Sequence, residues 1–139
     1  MQGLHLTADL RGVRADLPVM LEPAALRELC VAAVVESGLG AVAELFHRFT
    51  PLPVLASGAA STAANDPAIG SDQSGITGVV LLAESHLAVH TWPELGGVTL
   101  DVYVCNLGAD NSTRAEALMN RLCSAFAAEH VKRQSLRRG

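Results

Sequence analysis

The sequence predicts an α+β fold: a two-layer α/β sandwich with an antiparallel sheet and two helices on one face. Three observations lead there. Several segments have the two-residue alternation, or the short apolar run, of strands. Two longer segments carry apolar residues at helical spacing. The last two of three closely spaced strands are joined by "PELGG", 93–97, a turn-forming sequence. Two helices over one sheet face leave the other face in need of a partner. With 139 residues, the chain 1–139 reads as a single domain able to bury a core without staples.

"GLHLTADLRGV", 3–13, is the first strand, with Leu4, Leu6, Ala8 and Leu10 alternating against His5, Thr7 and Asp9. "LEPAALRELCVAAVVESGLG", 21–40, is the first helix. Pro23 suits its start and Gly38 or Gly40 its end, and Leu26, Leu29, Cys30 and Ala33 form its apolar stripe. "AVAELFHRFT", 41–50, is the second strand. The segment 51–75 is rich in Ser, Ala, Gly and Pro and reads as an insertion loop. Strands follow at 76–83, 85–92 and 98–105, with Pro93 marking the end of one of them. "NSTRAEALMNRLCSAFAAEH", 111–130, is the second helix. Asn111, Ser112 or Thr113 can cap it, and Ala117, Leu118, Leu122, Ala125 and Phe126 give it an apolar face. "VKRQSL" closes the chain as a short edge strand.

Half of the residues are hydrophobic and 17% are charged, a composition that fits a protein burying surface against a copy of itself. The net charge is -4, and no basic stripe with interleaved aromatics points to nucleic acid. No apolar run is long enough for a membrane span, and no basic, apolar leader opens the chain. Cys30, Cys105 and Cys123 are widely spaced with no CxxC, which predicts free thiols and a cytoplasmic location.

The chemistry concentrates in "LLAESHLAVHTWPE", 81–94. On a strand, His86, Ala88 and His90 share one face; Thr99, Asp101, Tyr103 and Cys105 share one face of the next strand. A hairpin folded about 97–98 would set His90 opposite Cys105, a base beside a thiol. A metal is not expected: HExxH is absent, and His86 and His90 would stand roughly 13 Å apart on a strand. GxSxG is absent too. From spacing alone, a cysteine nucleophile and a pair of hydrogen-bonded structural histidines both remain open.

The whole motif resembles the prokaryotic S-adenosylmethionine decarboxylase family, whose members are pyruvoyl-dependent, self-processing proenzymes. That family carries a Glu-Ser-His cleavage motif, a histidine five residues past the serine and a cysteine fifteen residues past that histidine. Glu84, Ser85, His86, His90 and Cys105 reproduce the pattern without a gap, and "GLHLTADL" and "FHRF" add to it. The chain departs from the family at 51–75, which is longer, and at Thr77, where the family has a catalytic serine. It departs again at Ala83, where a serine is common, and in "NLGADNSTRAEALM" after the cysteine.

The resemblance implies cleavage between Glu84 and Ser85, giving pieces 1–84 and 85–139. Ser85 Oγ attacks the Glu84 carbonyl, the Thr77 hydroxyl stabilises the oxyanion and His90 removes the Ser85 Cα proton. The resulting dehydroalanine tautomerises and is hydrolysed, ammonia leaves, and residue 85 becomes the covalent pyruvoyl cofactor. In turnover this group forms a Schiff base with the substrate amine, and Cys105 returns a proton to the α-carbon. Ser85 and His90 are an odd number of residues apart, so a regular strand would point them to opposite faces. An irregularity near 83–85 is therefore expected. Phe46, Phe49, Trp92 and Tyr103 are the aromatics available to stack an adenine, while Glu94 is either a substrate ligand or a turn carboxylate. The implied partners are a small amino-acid-type substrate and a second processed protomer in a homodimer, the product being the aminopropyl donor for spermidine synthesis. Decarboxylation of arginine or ornithine, and a non-processing structural or regulatory homologue, are the alternative readings.

Overall fold

Alternation in the first strand has the expected outcome. In β1 (Gly3–Arg11), Leu4, Leu6, Ala8 and Leu10 are buried, while Thr7 and Asp9 between them are not. The computed structural model describes residues 2–50 and 74–139, so most of the expected insertion, 51–73, lies outside the described residues. Its far end is shorter than expected, because Gly75 already belongs to a strand.

Two helices were expected, and a short third one precedes them. α1 (Pro18–Leu21) and α2 (Pro23–Glu36) each begin at a proline, which supplies a helical φ and lacks only an N–H that the first turn leaves unpaired. Glu22, extended between them, delays the helix expected over 21–40 to Pro23, and that helix ends at Glu36. The last helix, α3 (Ser112–Phe126), stops before the predicted 130 because Ala127 takes a left-handed conformation, φ +47°. The remaining strands are β2 (Ala41–Phe49), β3 (Gly75–Leu82), β4 (Ser85–Trp92), β5 (Gly97–Cys105) and β6 (His130–Arg138). The last is not the short edge piece expected but a nine-residue strand paired with β1 along its whole length.

The strands form one antiparallel sheet in the order β2-β3-β4-β5-β1-β6. One face carries the helices. Leu26, Cys30 and Val34 from α2, and Leu118, Leu122 and Phe126 from α3, join Ile76, Val80, Leu87, Val89, Leu100 and Val102 in a single core. Each such Leu or Phe contributes about 2 kcal/mol by leaving water. Thr91 is a buried polar residue on this side. Its hydroxyl donates to the Met20 carbonyl at 3.1 Å and accepts the Ile76 N–H at 3.0 Å, which ties α1 to the sheet.

The second face carries Leu45, Val79, Leu81, His86, Ala88, His90, Trp92, Asp101, Tyr103 and Leu136. Among the described residues no helix covers it. Leu45, Leu81 and Leu136 are exposed there.

The hairpin joining β4 to β5 differs from the expectation. Pro93–Leu95 form a turn of 3-10 helix, Gly96 follows at φ +57°, and the ladder restarts at Trp92–Gly97. His90 therefore pairs with Thr99, not Cys105.

Candidate active site

The irregularity expected near Ser85 is a two-residue turn. β3 ends at Leu82, β4 starts at Ser85, and those two residues pair. Glu84, inside the turn, has φ +68°, a conformation that crowds the Cβ of any L-residue and costs about 1 kcal/mol. The Glu84–Ser85 peptide bond follows this strained residue directly.

Ser85 opens β4 opposite Leu82, on the parity of Leu87 and Val89 and not of His90, and its place at the sheet end lets it border both faces. Its Oγ accepts the Cys105 backbone N–H at 3.1 Å. Ser85 borders a cavity of about 520 Å³ on the open face, shared with Val79, Leu81, Glu84, His86, Tyr103 and Arg138. The Arg138 guanidinium lies 5.5 Å from the Tyr103 ring centre, over its face. Of the three free cysteines only Cys105 is at this place. Burial pushes the Cys30 thiol up to about 12 and also raises Cys123, so both serve packing.

Thr77 and His90 form a second cluster. They are paired residues of β3 and β4, with Thr77 Oγ1 and His90 Nδ1 3.1 Å apart. The His90 ring stacks on Trp92, with centres 5.7 Å apart and planes 29° apart, and Phe49 meets Trp92 edge-on at 6.4 Å. Five residues of strand, about 16 Å, separate this cluster from Ser85. This corrects two expectations. His90 does not face Cys105, because the turn at 93–96 sets a different register. Thr77 does not stand beside the Glu84 carbonyl of its own chain, because the β3–β4 ladder places it opposite His90.

Phe46 is also excluded from the open face. It packs over Gly78 beside Val89, on the side of the helices. His5 holds Asp101 at 3.3 Å and meets Tyr103 edge-on. Asn111, Arg114 and Arg138 border the Ser85 region although nothing in the motif singles them out. At the start of a helix Asn111 has the sequence signature of a cap, which conceals any other use.

Comparison with known proteins identifies the family. The family described as S-adenosylmethionine decarboxylase matches residues 4–139. The S-adenosylmethionine decarboxylase proenzyme of Aquifex aeolicus (strain VF5) is 34% identical over 137 residues, 99% of this chain and 81% of that one. The proenzyme of the same description from Pelotomaculum thermopropionicum is 31% identical over 137 residues, 99% of this chain and 86% of its own. The crystal structure of the adenosylmethionine decarboxylase from Aquifex aeolicus VF5 superposes with a TM-score of 0.74 at 32% identity, covering 99% of this chain and 90% of that one. With a cleavage motif at a strained turn and a match along nearly its whole length, this chain belongs to the S-adenosylmethionine decarboxylase family.

Proposed function

We infer that the chain decarboxylates S-adenosylmethionine, as its family does, through a pyruvoyl group made from its own Ser85, and that two copies complete each site. The observation that carries this reading is the fixed Ser85 hydroxyl, bonded to the Cys105 N–H directly after the strained Glu84. That geometry suits a serine acting on its own upstream carbonyl. Ser85 Oγ bonds to the Glu84 carbonyl carbon, the C–N bond breaks and the amine takes the hydroxyl proton. Loss of the Ser85 Cα proton then expels Glu84 as a carboxylate, and the dehydroalanine left at residue 85 tautomerises to an imine that water hydrolyses to the pyruvoyl group and ammonia. The pyruvoyl group supplies a carbonyl that withdraws electrons as CO2 leaves the substrate. Cys105, at the same end of the sheet, returns the proton to the substrate's α-carbon.

Thr77 and His90, about 16 Å along the strand, are too far to serve Ser85 in their own protomer. A two-fold packing of open faces brings the Ser85 end of one β4 to the His90 end of the other. Thr77 then stabilises the oxyanion and His90 takes the Cα proton across the interface. Phe49 and Trp92, beside His90, offer flat surfaces to an adenine. Asp101, the acid that could meet the second cation of a basic amino acid, is already held by His5.

Intact mass tests the processing. Wild-type protein should give fragments 1–84 and 85–139, the second without an amino terminus, and Ser85→Ala should leave one uncut chain. An uncut wild-type chain after prolonged incubation would overturn the reading. CO2 release from S-adenosylmethionine, set against arginine and ornithine, tests the substrate.

A further inference from the structure

The β4–β5 ladder begins at the pair His86–Tyr103, so Cys105 extends past its end. Side chains take up the Cys105 peptide groups there. Ser85 Oγ accepts the N–H at 3.1 Å, and Asn111 Nδ2 donates to the carbonyl at 2.9 Å. Asn111 stands at the N-cap of α3, where asparagine ordinarily accepts an N–H of the first turn. Here its side chain makes no capping bond and is turned back toward the sheet. The direction of its amide follows from its neighbour. An arginine N–H can only donate, so Asn111 Oδ1 faces Arg114 Nη1 at 2.9 Å and leaves Nδ2 for the Cys105 carbonyl. The Asn111 N–H donates to Asn106 Oδ1 at 2.9 Å, and the Asn106 N–H to the Gln2 carbonyl at 2.8 Å, which secures the loop against the sheet. A cavity of about 270 Å³ borders Glu84, Ser85, Cys105, Asn111 and Arg114 together.

We propose that Asn111 is a positioning residue for self-cleavage, acting through the Cys105 peptide on the Ser85 hydroxyl, with Arg114 fixing the orientation of its amide. The proposal rests on the reading of Ser85 as the processed residue. A serine hydroxyl has two lone pairs. The Cys105 N–H occupies one of them and limits where the other can point. In the acyl shift that other pair forms the Oγ–C bond to Glu84, the Glu84–Ser85 C–N bond breaks and the hydroxyl proton ends on the freed amine. Asn111 serves this step and not the later elimination, which depends on a base at the Ser85 Cα.

The decisive variant is Asn111→Asp, which is isosteric, keeps an oxygen for Arg114 and replaces the donor to Cys105 with a charged acceptor. Loss of the uncut chain is followed by intact mass in the wild type, Asn111→Asp and Asn111→Ala. Hydroxylamine, which cleaves esters, reports how much ester has accumulated before elimination. Melting of each variant in a Ser85→Ala background reports the fold. Asn111→Asp should slow cleavage at least about tenfold, with less hydroxylamine-cleavable ester at equal times and an unchanged melting temperature. Cleavage at the wild-type rate overturns the proposal. So does slow cleavage with more ester, which puts the defect in elimination, or slow cleavage with a collapsed melting transition. If Asn111→Ala fails to fold, Asn111→Asp still decides. A wild-type chain that is never cut overturns the processing reading instead.

Discussion

Cys30 shows how far a single side chain can be read from its surroundings. It lies on the apolar stripe of α2 and is fully buried, as its position among Leu26, Leu29 and Ala33 predicts. Burial disfavours the thiolate, so the folded chain keeps this proton to about 12, against an ordinary value of 9.0. Below pH 9 both folded and unfolded chains hold the proton, and the stabilising contribution is complete. Between 9 and 12 the unfolded chain binds fewer protons, so stability falls as pH rises, by about 1.4 kcal/mol per pH unit. Urea unfolding of the Ser85→Ala protein at pH 8 and pH 10.5, with and without Cys30→Ala, should show a steeper loss when Cys30 is present. Equal slopes would mean that burial does not hold the proton. Ser85 was legible only in part: an irregularity does fall at Ala83–Glu84, but it precedes Ser85, and the regular strand from there keeps Ser85 and His90 on opposite parities. Asn111 was not legible, because helix-start asparagines look alike in sequence whether they cap the helix or turn back to the sheet.

At the scale of elements, the turn between β3 and β4 is where conformation and chemistry meet. Glu84 holds φ +68° without being glycine, so the proenzyme bears strain that a glycine would remove. Glu84→Gly in a Ser85→Ala background should melt higher, by about 1 kcal/mol of stability. The same substitution with Ser85 intact should cut more slowly, since less strain is released by breaking the bond. Faster cleavage with Glu84→Gly would separate the strain from the reaction. Strands and helices were readable because two-residue and helical periodicities record which face is buried. Register was not. Pairing across the β4–β5 hairpin depends on how many residues the turn consumes, and "PELGG" spends four in a 3-10 turn closed by a left-handed Gly96. That one difference moves His90 from Cys105 to Thr99. The length of β6 was hidden for a different reason. All nine of its residues are exposed, so no alternation of burial marks its extent, and backbone pairing with β1 holds it.

For the whole molecule, the proposed sharing of each site between two copies makes an assembly prediction. Co-expressed Ser85→Ala and His90→Ala chains should form mixed dimers in which one site has both residues intact. Chains bearing His90→Ala should then be cut in the mixture and stay whole when expressed alone, as read by intact mass. No cutting in the mixture would confine processing to a single protomer. The strand order has another consequence. The segment 1–84 supplies β1, β2 and β3, the segment 85–139 supplies β4, β5 and β6, and β1 sits between β5 and β6. Cleavage between Glu84 and Ser85, as proposed, leaves two pieces interleaved within one sheet, each lacking the neighbours that would let its strands stand alone. Once cut, the protomer is a split protein held together by its sheet and core. It has no covalent route back, and recovery from denaturant becomes an encounter between two fragments that slows with dilution.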